Sequence, residues 1–371
     1  MIMEQVEKIM TRAVLENIFP GAVLLVSVKG SAIFDNAYGF ANIISGKRMT
    51  KDTIFDLASL TKPLATTLAV VKLVQEGKLE IDNNLGSILP QFRNTEKELI
   101  EIKNLLCHNS GFPDYRPYYL TIKDIPKNNR LGALREMLVK EPLLSTPGEK
   151  TLYSDLGFMT LRWVIETVSG RRLDRFVTDE IYKPLGLKNL FFVDLDPKNK
   201  RRKAGNRMFA ATEICPWRNM LLEGVVHDDN AYAAGGIEGH AGLFGTAQDV
   251  NFLLTKLLFA FHGISEDSVI AQELIKIFFD RQEGTDWALG FDTPSLTGSS
   301  CGRYFSRKSV GHLGFTGTSF WMDLDRFVSV ILLTNRIHTS RDNVKIKEFR
   351  PVLHDAVMRD LLKKGICNHK F

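Results

Sequence analysis

A chain of 371 residues is too long for a minimal domain and fits one large domain or two intimate ones. Its 44% hydrophobic and 25% charged residues are ordinary values for a folded protein and argue against intrinsic disorder. The formal charge of +5, from 48 Lys+Arg against 43 Asp+Glu, is a mild excess that gives no case for nucleic-acid binding.

Residues 3–17 read as an amphipathic helix, with Val6, Ile9, Met10, Ala13 and Val14 near helical spacing. Met1 to Phe19 mixes acids and bases and lacks the unbroken apolar run of a secretory signal. Pro20-Gly21 ends the helix, and Ala22–Val28 and Ser31–Phe40 form a hairpin around Lys29-Gly30. Residues 41–52 are a polar connection, and Thr53–Leu57 leads into the turn Ala58-Ser59-Leu60-Thr61-Lys62. A helix starts at Lys62 and ends at Gly77; Leu64, Leu68 and Val71 line one side. Ala65, Thr66, Thr67 and Ala69 keep its other faces small, as in a buried helix.

Between about 80 and 240 the signals are mostly helical. Helices are expected at Leu99–Cys107, Leu131–Lys140, Asp155–Ser169 with Gly170 as cap, and Leu173–Tyr182 before Pro184. The run Lys198 to Lys203, five basic residues in six, reads as a solvated loop. Ala247–Phe261 and Ser268–Phe279 are further helices. Tyr304–Ser306, Gly317–Leu324 and Arg326–Thr334 read as strands, with a turn at Asp325-Arg326, and Lys347–Lys363 as a closing helix. This is an α/β (α+β) chain: one mixed sheet built from both termini, layered by helices, with a helical insertion. No run reaches the roughly 18–20 apolar residues of a membrane span. The cysteines, Cys107, Cys215, Cys301 and Cys367, form no C-x-x-C pair and fit free thiols in a reducing compartment, so a cytoplasmic location is expected.

Three stretches carry chemistry. In Ser59-Leu60-Thr61-Lys62 the hydroxyl and amine are three residues apart, neighbours on one helical face. Alone, that pattern also fits an N-cap serine beside an exposed lysine. Pro147 to Phe158 sets Tyr153 just ahead of a helix, and Gly311-His312-Leu313-Gly314-Phe315-Thr316-Gly317-Thr318 reads as a strand with glycines for close approach.

In that order the three stretches resemble the Ser-x-x-Lys, Tyr-x-Asn and Lys/His-Thr-Gly signatures of the serine β-lactamase and penicillin-binding protein superfamily. The resemblance spans about residues 5–360 and is strongest to class C-type β-lactamases, D-alanine carboxypeptidases and related esterases. Leu105–Gly111, Gly239–Ala247 and the Pro20-Gly21-Ala22 opening support it. It implies a β-lactamase-like fold: a mostly antiparallel sheet from both termini sandwiched by helices. Residues 1–80 plus 241–371 would form the α/β sandwich domain, residues 81–240 a mainly helical domain, and the active site would lie between them. It further implies Ser59 as nucleophile, Lys62 or Tyr153 as general base, and backbone N–H groups of Ser59 and Phe315 as oxyanion hole. Asp155, His312 and Gly314 would bind or support substrate. No cofactor and no metal is expected, and the oligomeric state is left open.

Two positions depart from the family pattern. Asp155 stands for Asn, and His312-Leu313-Gly314 stands for Lys-Thr-Gly. The site then carries roughly 0 to +1 instead of about +2, with each unit charge near 4 Å worth up to about 4 kcal/mol. Lys308 or a nearby Arg can restore that charge. The balance favours an ester, or an amide without a neighbouring carboxylate, over a β-lactam. The small-molecule substrate is therefore read as an ester, amide or β-lactam-like carbonyl compound, hydrolysed through an acyl-enzyme. The alternatives are a D-alanyl-D-alanine carboxypeptidase or weak β-lactamase, and a penicillin-binding sensor or scaffold that does not turn over. His227, Asp228, Asp229 and His240 read as polar loop packing and His108 as a structural histidine. Trp163, Trp217, Trp287 and Trp321 read as core or pocket wall.

Overall fold

The computed structural model describes residues 3–196, 207–264 and 269–367, so the basic run Lys198 to Lys203 lies outside it. Gly21–Val28 and Ser31–Asn42 form the expected hairpin, extended by a short edge strand at Lys47–Arg48. Gly21–Val28 also pairs antiparallel with Val328–Thr334, which joins the two ends of the chain in one sheet. From there the sheet runs through Ser319–Asp323, Ser309–Leu313, Phe291–Asp292 and Trp287–Ala288, giving eight strands, all paired antiparallel.

Alternate residues of a strand face opposite sides, and the sequence uses both faces. Ala22, Leu24, Val26, Val330 and Leu332 pack against Glu4–Leu15 and Ile346–Lys363 through Met10, Leu353 and Val357. Val23, Leu25, Ile331 and Leu333 face the other way, onto the larger core with Leu68, Leu254 and Leu257. A sheet buried on both faces explains why Gly21–Val28 is apolar at every position but Ser27 and not alternating. No helix among the described residues is long and apolar enough to cross a membrane.

Several expected boundaries move. Tyr304–Ser306 is not a strand; the Ser306 N–H donates to the Asp323 carboxylate at 2.9 Å, and pairing begins at Ser309. Gly317, at φ +105, belongs to a turn, so the next strand is Ser319–Asp323. The following strand starts at Val328, and the helix after 268 occupies Gln272–Phe279. The helix expected over Leu99–Cys107 shrinks to Ile102–Leu106. The segment 81–240 also contributes strands: Leu190–Phe192 pairs with Leu243–Gly245 beside Phe55–Asp56, and Ala211–Cys215 pairs with Met220–Glu223.

Candidate active site

Phe55–Asp56 delivers the chain to Ser59 from the three-stranded sheet. Both oxygens of the buried Asp56 carboxyl are engaged, by the Ala58 N–H at 2.9 Å and the His227 N–H at 2.6 Å. Ala58 sits at φ +47, a region that L-residues seldom adopt. The Asp56 bond holds it there, and such local strain is common beside reactive side chains. Ser59 then lies in a 3₁₀ turn, Ala58–Leu60, and not at the cap of an ordinary α-helix. A π-helical turn, Lys62–Thr67, follows before the regular helix Leu68–Gln75.

Lys62 is 0% exposed. Its Nζ donates to Ser59 Oγ at 3.1 Å, to Asp155 Oδ1 at 2.6 Å and to the His240 carbonyl at 3.4 Å. Burial works against the charge on this amine, but Asp155 and Tyr153 outweigh it, and the net pKa is raised. Lys62 is therefore an ammonium at neutral pH. Tyr153 arrives from the segment before helix Asp155–Ser169, its ring 4.6 Å from the Lys62 amine. Burial raises its phenol pKa, opposed by Lys62, and the hydroxyl interacts with both Lys62 and Ser59. Ser154 caps that helix and donates to the Pro113 carbonyl, while the Ser154 N–H donates to His108 Nδ1 at 3.0 Å. His108 thus props the Tyr153 segment from below.

The far strand supplies the other wall. His312 Nδ1 lies 2.9 Å from the Leu313 carbonyl and must carry the proton, which leaves Nε2 a bare acceptor. Burial, then the nearby Lys62 charge, push its pKa down to about 3, so His312 is neutral. Beyond it the turn Gly314–Thr318 is tied to the Ser59 turn by two hydroxyls. Thr316 donates to the Asp56 carbonyl at 2.8 Å and Thr318 to the Leu57 carbonyl at 3.0 Å. The Phe315 N–H, in that turn, has no hydrogen-bond partner among the described residues. A pocket of about 730 Å³ opens over these groups, walled by Ser59, Tyr153, Trp287, His312, Phe315 and Arg336.

The remaining polar residues balance one another. His240 Nε2 meets Asp228 Oδ1 at 2.9 Å, and His227 Nε2 meets Glu213 Oε2 at 3.0 Å. Asp229 accepts from Trp217 and Arg218. Asp155, Asp228 and His240 bring potential ligand atoms within 4.8 Å of one another. These groups already have partners there, Asp155 with Lys62 at 2.6 Å and His240 with Asp228 at 2.9 Å. Asp56, Thr316, Thr318 and Arg336 escaped the sequence reading. Only Asp56 left a local signal, an aspartate two residues before the N–H it binds.

The sheet with helices on both faces and the buried lysine one turn from a serine define a serine hydrolase. The chain belongs to the beta-lactamase family, whose model matches residues 6–351. An Escherichia coli (strain K12) protein provisionally named D-alanyl-D-alanine carboxypeptidase is 31% identical over 350 residues, 86% of this chain and 79% of its own. Among solved structures, EstCE1, a hydrolase with promiscuous acyltransferase activity, superposes with a TM-score of 0.72 at 22% identity. It covers 96% of this chain and 98% of its own. The octameric penicillin-binding protein homologue from Pyrococcus abyssi gives a TM-score of 0.73 at 20% identity, covering 98% of this chain and 78% of its own.

Proposed function

We propose that the protein cleaves ester or amide carbonyls through an acyl-enzyme on Ser59. The observation that carries this is the contact chain Ser59 Oγ to Lys62 Nζ to Asp155 Oδ1, at 3.1 and 2.6 Å. A protonated Lys62 cannot accept the serine proton unless it gives one up. Asp155 is placed to take it: Lys62 passes a proton to Asp155 as it accepts that of Ser59, and remains charged throughout. The Ser59 oxygen attacks the carbonyl, and the backbone N–H groups of Ser59 and Phe315 hold the developing oxyanion. Collapse of the tetrahedral intermediate breaks the bond to the leaving group, which takes back the proton held by Asp155 through Lys62, directly or by way of Tyr153. On the second route the Tyr153 phenol gives one proton to the leaving group and regains one from Lys62. Water repeats the sequence to free the acid.

The substrate reading is an ester, or an amide lacking an adjacent carboxylate. Lys62 is matched by Asp155, His312 is neutral, and Leu313, Phe315 and Trp287 supply apolar wall. Of the cations that also line the pocket with Lys347, Arg336 and Arg350 bond main-chain carbonyls and Arg341 pairs with Glu213 and Asp229. A second reading, D-alanyl-D-alanine carboxypeptidase, draws support from the name carried by the Escherichia coli relative. Hydrolysis of a short-chain p-nitrophenyl ester by wild type and Ser59→Ala tests the acyl-enzyme. A loss of at least about a thousandfold is expected, and equal rates overturn the proposal. Release of D-alanine from a muramyl peptide at a higher kcat/KM than ester cleavage would replace the first substrate reading by the second.

A further inference from the structure

A buried cation bonds the Gly314–Phe315 peptide at its carbonyl end. Arg350, in the first turns of helix Ile346–Lys363, is 5% exposed. Its Nη2 donates to the Thr318 carbonyl at 2.9 Å and to the Gly314 carbonyl at 3.3 Å. Among the described residues no carboxylate pairs with it, and its Nε is buried without a partner. Burial, then the neighbouring Arg336, lower its pKa to about 9. Arg336 is arranged similarly, with Nε and Nη2 on the Phe315 carbonyl at 3.0 and 2.6 Å.

An unpaired buried guanidinium is expensive, by several kcal/mol, unless something around it benefits from the charge. Here the acceptor is informative. The Gly314 carbonyl and the Phe315 N–H are opposite ends of one peptide group. A cation on the carbonyl oxygen polarises that amide and makes its N–H a stronger donor. The same bonds fix the turn to the helix, while Thr316 and Thr318 fix it to the Ser59 turn. Of the groups nearest Ser59, Lys62 is paired with Asp155 and His312 is neutral, so the cations left to act on the Gly314–Phe315 turn are Arg336 and Arg350.

We propose that Arg350 is a positioning residue of the oxyanion hole, orienting and polarising the Gly314–Phe315 peptide so that the Phe315 N–H stabilises negative charge on the substrate carbonyl oxygen. This rests on the acyl-enzyme reading of Ser59. The role is specific to the transition state, because a ground-state ester carries little charge on that oxygen.

The test uses the full chain as wild type, Ser59→Ala, Arg350→Met and Arg350→Lys. Two probes are needed: a short-chain p-nitrophenyl ester, and phenylboronic acid, which forms a tetrahedral anion on a reactive serine. Arg350→Met should lower kcat on the order of ten- to a hundredfold, below the loss from deleting an oxyanion donor outright. KM should stay within about twofold, boronate affinity should fall by a factor similar to kcat, and Arg350→Lys should restore part of both. Thermal unfolding identifies a variant that fails to fold, in which case Arg350→Lys alone decides by the same parallel between kcat and boronate affinity. Unchanged kcat and boronate affinity in a folded variant overturn the proposal. So does a rise confined to KM for carboxylate-bearing esters, which would make Arg350 a substrate-anion contact. If wild type ignores the boronate and Ser59→Ala keeps full activity, it is the acyl-enzyme reading that has failed.

Discussion

Lys62 Nζ lies 2.6 Å from Asp155 Oδ1, closer than it lies to Ser59. The amine beside the candidate nucleophile is thus committed to a carboxylate. Where the family carries asparagine, the same position offers a neutral amide and no proton acceptor.

Replacing Asp155 by asparagine should separate these two designs. Without the carboxylate, burial dominates at Lys62 and its pKa falls from the raised value of the native site. The serine proton must then go to a neutral amine. The acid limb of kcat/KM should move to higher pH in Asp155→Asn, with a rate loss near neutrality of about ten- to a hundredfold. Ester hydrolysis followed from about pH 4 to pH 10 measures both. A limb at the native position would remove Asp155 from the proton path.

The members of the candidate site were more legible in the sequence than the geometry around them. Ser59 and Lys62 are linked by local spacing, and Tyr153 announces itself by preceding the start of the helix at Asp155. The π-helical turn Lys62–Thr67 left no trace in the residue pattern, whose apolar spacing is that of an ordinary helix. Trp287–Ala288 and Phe291–Asp292 are two residues long, too short to show a period of two. Tyr304–Ser306 has strand-like composition, but its backbone bonds side chains: the Ser306 N–H donates to Asp323 and the Tyr304 carbonyl accepts from Arg326. Lys308, a candidate for restoring charge, lies away from the Ser59 pocket, whereas Arg336 and Arg350 line it.

His312 faces the pocket with an acceptor where many family members place a lysine donor. A lysine at this position should favour substrates with a carboxylate near the scissile bond. In His312→Lys, KM for a carboxylate-bearing peptide or penicillin should fall several-fold relative to that for a neutral ester. Competition between the two substrates reads this directly. A parallel change in both would show that residue 312 does not sense substrate charge.

Gly314 has no room for a side chain. A Cβ there would meet the Thr318 hydroxyl and come within 2.7 Å of the Leu57 carbonyl. Neither contact can yield without shifting the turn that presents the Phe315 N–H. Gly314→Ala should lower stability by about 1–3 kcal/mol, the usual range for overpacking. It should also lower kcat more than that loss of folded protein accounts for at the assay temperature. Chemical denaturation and ester kinetics on the same preparation check the pair of effects.

Asp292 gives the protein a pH-dependent weakness near neutrality. It sits on a two-residue strand paired with Gly311 and reaches the pocket wall. Burial raises its carboxyl pKa to about 7, against weaker opposing help from the Thr293 N–H and the Arg281 charge. In the unfolded chain it titrates near 3.9. Between those values the folded state holds a proton that the unfolded state has lost, so stability falls as pH rises from about 4 to 7 and then levels off. Asp292→Asn removes this titration. It should match wild type near pH 4 and exceed it above pH 7 by on the order of 2 kcal/mol, a figure already reduced for partial exposure. Urea unfolding of both proteins at about pH 4.5, 6 and 8 measures the widening gap. A gap of constant size would mean that Asp292 titrates alike in the folded and unfolded chain.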